Sequence, residues 1–386
     1  TGHLVIVHDP TNEKAARYNL ADGVDDVTTA QSIADVLVPS KGKGGDFFEL
    51  SAKALLAACL MVYDNIGTIN QRFGDMDQLV KDFNALDEDN DAKGLAGDFI
   101  YAAETSPRQA SGVLSTAKRK LDAWSAKKIR DSTAVSDFKP SILMKKPAVI
   151  VIACPGKERR ALAPYIGAAL TRLLLDLDTI GEKQPGGALP KPVKFILDEF
   201  PAMGDLRVIV EQANLVRKRR ISFLLAAQTI GQLQEIYGRD GTATLLAGMA
   251  TNIIFGGADK ETAQYYSSLA GNKTKTTGED GRVSERPLLT HDQIISPPHA
   301  PQGNVILFTR YVTASYAVHA VILARLTRIY ERRDIQNKVA TSEKKNGRAR
   351  VFTRKHAQRR RKKKRPPIQP ETVHEPVPVP EVQPVK

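Results

Sequence analysis

The sequence predicts a layered α/β fold: a mostly parallel sheet, an inserted all-α subdomain and a disordered basic C-terminal tail. Three observations carry this. Short β-rich runs alternate with longer helical patterns through most of the chain. Residues 47–135 hold helical patterns and no convincing strand. From Glu343 to the end there are 14 Lys/Arg against 4 Asp/Glu, whereas the chain as a whole carries 56 against 43. The basicity therefore belongs to a tail, and the body is nearly balanced.

Strand-like runs occur at Leu4–Val7, Ala148–Ala153, Val193–Leu197, Ile221–Ala226, Ile253–Phe255 and Val305–Phe308. Most are near-continuously apolar rather than alternating, the pattern of strands buried on both faces of a parallel sheet. Leu162–Leu177 repeats apolar residues at three and four, as an amphipathic helix does. These runs place a partial α/β segment in residues 1–46 and the main α/β domain in residues 136–342. Residues 47–135 form the helical subdomain between them, since so long a strandless stretch exceeds ordinary connections. Within it, Asp87–Asp91 "DEDND" predicts a polar turn. Gly271–Arg286 is polar and glycine-containing and predicts a mobile loop. Residues 343–386 are the tail, basic first and then rich in Pro, Val and Glu, too poor in core residues to fold alone.

Composition narrows the classes further. Apolar content of 42% is ordinary for a soluble globular protein. The longest apolar run, Ala54–Tyr63 "ALLAACLMVY", is too short to span a bilayer and reads as a buried helix. No stretch of these residues reads as a secretory signal. Cys59 and Cys154 lie far apart in apolar stretches, which predicts reduced, buried thiols rather than a disulfide or a metal site. Thr1 in place of Met predicts a fragment or a processed product.

The run "KFILDEFPAMG", residues 194–204, ends a strand on two adjacent carboxylates, Asp198 and Glu199. Ligands of parallel α/β sheets bind beyond the carboxyl ends of the strands. There, one acid can hold Mg²⁺ beside nucleotide phosphates and its neighbour can activate water. The plain alternative is a strand that ends in solvent. A second apolar strand, "ISFLLAAQT", ends near Gln228, whose amide can bond a water or a γ-phosphate or, equally, cap the next helix.

Four stretches in order, "FILDEFPAMGDL", "LVRKRRISFLLAAQTIGQLQEIYG", "LLAGMATNIIFGGADKETAQYYSSLAG" and "RPLLTHDQI", resemble the TraG/TraD-type coupling proteins of conjugation and type IV secretion. The resemblance is strongest over Lys191–Ile294. It extends backward through "ARYNLADGV" and "DFFELSAKALLAACLMVY". It implies a RecA-like P-loop NTPase core related to the FtsK class of DNA pumps, with ATP and Mg²⁺ as cofactors. Asp198 then matches the magnesium-holding acid and Glu199 the catalytic base. Gln228 matches the family's sensor-strand glutamine. Arg217 in "LVRKRR" matches an arginine that acts between subunits or on phosphate, although basic residues at a helix end also complement its dipole. The implied partners are DNA, single-stranded and carried with a relaxase, the secretion-channel components and further copies of the chain in a ring. The implied location is the cytoplasmic face of the bacterial inner membrane for the full-length protein, with this chain alone soluble.

A phosphate loop of the form G-x-x-x-x-G-K-S/T does not occur in the 386 residues. "PSKGKGGDFF" at Pro39–Phe48 and "ACPGKERR" at Ala153–Arg160 lack the required spacing and read as ordinary turns. The resemblance places that loop, and the membrane anchor, upstream of Thr1, so this chain alone is expected to bind and hydrolyse nucleotide poorly. A non-catalytic recruitment protein and another P-loop secretion ATPase are the competing functions. "RPLLTHDQI" and "ARYNL" favour the coupling type.

Between Lys344 and Arg365 lie thirteen Lys/Arg, no acid and one aromatic residue, Phe352. The densest part is Arg359, Arg360, Arg361, Lys362, Lys363, Lys364 and Arg365. Such a run neutralises phosphates with little base stacking, which predicts salt-dependent DNA binding or contact with acidic lipid headgroups.

Overall fold

A computed structural model of the chain describes residues 3–39, 46–213, 215–277, 282–297, 304–309 and 312–318. Every described residue falls within Thr1–Arg350. Arg359–Arg365 lie outside the described residues.

β1 (Leu4–His8) pairs in parallel with β2 (Ala148–Ile152), His8 opposite Ile152. Between them the described residues form helices and turns. The helices are α1 (Val27–Leu37), α2 (Phe47–Val62), α3 (Ile66–Arg72), α4 (Met76–Asn84), α5 (Asp91–Thr105), α6 (Pro107–Lys120), α7 (Lys127–Thr133) and α8 (Ile142–Lys145). Their starts are written in the sequence. The side chains of Asp26, Asp46, Asn65, Asp75 and Asn90 each accept a backbone N–H of the first turn they precede. Asn90 belongs to "DEDND", which is the turn between α4 and α5. Leu55–Leu60 of α2 is buried throughout, as its apolar run predicts. No helix among the described residues is long and apolar enough to cross a membrane.

After β2 come α9 (Arg159–Glu182), β3 (Val193–Leu197), α10 (Arg207–Gln212), β4 (Ile221–Leu225) and α11 (Ile230–Gly248). β3 and β4 pair in parallel, Leu197 opposite Leu225. Then follow β5 (Thr251–Phe255), α12 (Lys260–Ala270), β6 (Asn272–Thr277), β7 (Arg282–Pro287), α13 (His291–Ile295), β8 (Asn304–Thr309) and β9 (Val312–Val318). One apolar core runs from Ile6 through α2, α6 and α9 to Phe195 and Ile221. A smaller one gathers Ile254, Tyr266, Ile294, Ile306 and Phe308.

Three features depart from the sequence reading. The stretch Gly271–Arg286 contains the antiparallel pair β6–β7, Asn272 opposite Pro287, where a loop is predicted. β6 is Thr-rich, which suits a strand, but Val283 of β7 is the one aliphatic residue of the stretch, too little for a hydrophobic signal. β5, β8 and β9 pair antiparallel. In the β8–β9 pair Asn304 lies opposite Val318. Finally, β3 and β4 are buried on one face only. Phe195 and Leu197 are buried, while Ile196 on the opposite face is 66% exposed and Leu224 51%. Lys194 and Ser222 lie on that open face, the polar positions of two otherwise apolar strands, and reading the runs as near-continuous passes over this sign.

Candidate nucleotide site

The strand β3 stops at Leu197 because the chain turns sharply at Glu199. Glu199 adopts a left-handed backbone, φ 57° and ψ 50°, a conformation that costs a non-glycine residue about 1 kcal/mol. The turn is held from both sides. Ala226 N–H donates to Leu197 O at 3.0 Å and Phe200 N–H donates to Ala226 O at 2.8 Å, extending the ladder past β4. Phe200 is fully buried and opens a short 3₁₀ turn, Phe200–Met203. Pro201 suits its start, where a proline lacks only an N–H that would have no helical partner. Burial of Phe200 thus fixes the backbone that presents both acids.

Asp198 is exposed and Glu199 half-buried. Glu199 Oε2 accepts from Arg159 Nη1, and Oε1 lies 3.5 Å from the Gln228 Nε2 donor. The carboxyl ends of β2, β3 and β4 therefore converge on one carboxylate. Gln228 does not cap the following helix. Thr229 does, its hydroxyl accepting Gln232 N–H at 3.2 Å. The amide of Gln228 is left to face Glu199.

Arg159 opens α9, and the body of that helix is cross-braced to the chain around β1. The Tyr165 hydroxyl lies 2.6 Å from His8 Nε2 and donates to Tyr18 O at 2.9 Å. His8 Nδ1 lies 2.7 Å from Ala16 O. Burial pushes the His8 imidazole below its ordinary pKa of 6.5, against the pull of the Ala16 carbonyl and Asp9. Arg172 Nη1 and Nη2 donate to Leu20 O and Asp22 O at 3.0 and 2.9 Å, and Nε donates to Asp176.

Arg217 lies elsewhere. It sits in the turn Val216–Arg219 that precedes β4, whereas Glu199 and Gln228 follow the other ends of β3 and β4. Its neighbours in the basic cluster are structural. Arg219 donates to Asp178 Oδ1 and Gly187 O, both at 2.8 Å, and Arg220, left-handed at φ 65°, reaches Leu189 O and Pro190 O. Arg159 is the site residue that sequence reasoning misses, since "ACPGKERR" reads as an ordinary turn. The available signal is a parallel strand followed by two arginines at a helix start.

No group of three or more His, Cys, Asp or Glu poised for a metal occurs among the described residues. Magnesium does not need one, because it is usually held by one or two carboxylates with phosphates and water. Exposed Asp198 fits that role. The fit to nucleotide is partial, because the sequence holds no phosphate loop, while the arrangement of Asp198, Glu199 and Gln228 suits phosphoryl chemistry.

The family model for type IV secretory system conjugative DNA transfer matches residues 1–297. The chain belongs to that family. It is similar to Protein VirD4 of Agrobacterium fabrum (strain C58 / ATCC 33970), 24% identical over 282 residues covering 71% of this chain and 41% of that protein. It is also similar to the conjugal transfer protein TraG of Escherichia coli, 26% identical over 324 residues covering 72% of this chain and 50% of that one. The chain thus spans half or less of the length of these conjugative relatives. Among solved structures, the bacterial conjugative coupling protein TrwBdeltaN70 in its unbound monoclinic form aligns with a TM-score of 0.60 at 15% identity, covering 82% of this chain and 73% of that one. The plasmid coupling protein TrwB in complex with ADP and Mg²⁺ aligns with 0.60 at 16%, covering 81% and 73%. The chain shares the α/β fold of these coupling proteins, the fold class that the sequence predicts.

Proposed function

We propose that this chain is the ATPase part of a coupling protein that recruits DNA or nucleoprotein and drives it through a type IV secretion channel. The observation that supports this most is the meeting of Glu199 and Gln228 beyond the ends of two parallel strands, beside exposed Asp198. Bound Mg²⁺ and ATP would supply the γ-phosphoryl group and the charge that neutralises its oxygens. Asp198 would hold the cation. Glu199 takes the proton of the attacking water on a carboxylate oxygen, and the Gln228 amide orients that water. Arg217, at the far end of β4, serves a neighbouring subunit of a homo-oligomeric ring.

In this reading Arg359–Arg365 hold the phosphates of single-stranded DNA delivered with a relaxase, and binding weakens as salt rises. The full-length protein works at the cytoplasmic face of the inner membrane. The test is nucleotide turnover by the full-length protein with and without single-stranded DNA. Turnover should depend on Mg²⁺ and fall sharply in D198N. Undiminished turnover in D198N would remove Asp198 from the mechanism. The absence of a G-x-x-x-x-G-K-S/T loop from these residues favours one second reading, a recruitment protein without catalysis. That reading predicts DNA binding with no turnover.

A further inference from the structure

The proposed hydrolysis leaves Arg159 without a task, although it contacts the proposed base directly. We propose that Arg159 is a latch: it pairs with Glu199 when no nucleotide is bound and transfers to a nucleotide phosphate when one arrives. The proposal rests on reading Glu199 as the base of a nucleotide site.

Four observations support it. Arg159 and Gln228 between them engage both oxygens of Glu199, so the carboxylate has a competitor for any water it must deprotonate. The pair is half in solvent, with side-chain exposures of 49% for Arg159 and 44% for Glu199. An ion pair so exposed is weak and easily exchanged. The backbones on both sides are fixed, by buried Phe200 on one and by Tyr165 and Arg172 on the other, so exchange needs only side-chain rotation. Lastly, Arg159 begins a 24-residue helix, whose amino end favours anions, and a guanidinium matches phosphate oxygens two at a time. Among the described residues, Lys128 and Lys157 pair with Glu158 at 3.6 and 3.4 Å, while Arg159 pairs with Glu199.

Linkage gives the latch a signature that a static contact lacks. If Glu199 and phosphate compete for Arg159, removing the charge of Glu199 must tighten nucleotide binding, and only while Arg159 is present. The measurement is the Kd of Mg²⁺–ADP for the full-length wild type, E199Q, R159A and the double variant, with R159K as a charge-conserving control. E199Q should bind roughly two- to fivefold more tightly than wild type, the size expected for a half-exposed ion pair. R159A should bind more weakly, and E199Q should add nothing in the R159A background. R159K should keep part of the gain. A gain of equal size in both backgrounds would mean simple repulsion between Glu199 and phosphate, and no gain in either would mean no competition. Each overturns the latch and leaves the nucleotide reading standing. Failure of all these proteins to bind nucleotide overturns both.

Discussion

The ring of Phe200 lies nearly parallel to that of Tyr237, with centroids 5.7 Å apart and planes at 14°. The Tyr237 hydroxyl accepts Leu206 N–H and donates to Gly204 O, both at 3.3 Å. The residue that follows the acid pair is thereby tied to α11 and to the turn beyond it. Truncating Phe200 to Ala should destabilise the chain by about 3–5 kcal/mol, the usual cost of deleting a fully buried aromatic side chain. Urea denaturation of the chain checks this. A loss below about 1 kcal/mol would show that the turn at Glu199 does not depend on the buried ring.

Gly167 makes the complementary case on α9. A Cβ there would meet Val36 Cγ1 at 2.8 Å, Leu206 Cδ2 at 3.0 Å and Met203 O at 3.0 Å. Helix propensity alone favours alanine over glycine by about 1 kcal/mol. Overpacking against a backbone carbonyl opposes it, by roughly 1–3 kcal/mol. Overpacking should win, so G167A should lower the midpoint of thermal unfolding. A raised midpoint would mean that the contact relaxes freely.

His8 predicts a pH dependence. Its folded pKa is lowered from 6.5 by burial, so between the folded value and 6.5 the unfolded chain binds more protons than the folded one. The stability tied to His8 is therefore complete above pH 6.5 and is lost as pH falls through that range. Denaturant midpoints from pH 7.5 down to 5.5 should drop more steeply for wild type than for H8Q, which has no proton to take up there. Parallel slopes would contradict the assignment.

The parts of the fold carried by local pattern are legible in the sequence. β1 to β4 fall on near-continuous apolar runs, and Asp198 and Glu199 follow the end of β3 as the pattern predicts. What escapes depends on tertiary placement. Arg159 and Glu199 are 40 residues apart and meet only because α9 is braced to the chain around β1 while the Phe200 turn is packed into the core. The β6–β7 pair escapes because its strands are mostly polar, with Thr and Lys in β6 and Arg, Ser and Glu around Val283 in β7. The open face at Ile196 and Leu224 escapes because hydrophobicity records what a residue prefers, and not whether a neighbour covers it.

The central claim is that Glu199 is the base of a nucleotide-hydrolysing site, and E199Q in the full-length protein tests it most directly. Side by side, nucleotide affinity and DNA-stimulated turnover would be measured for E199Q and wild type. E199Q should bind nucleotide at least as tightly as wild type, while turnover falls by about 10²–10⁴-fold, the usual worth of a general base. Turnover equal to wild type in E199Q would contradict the claim.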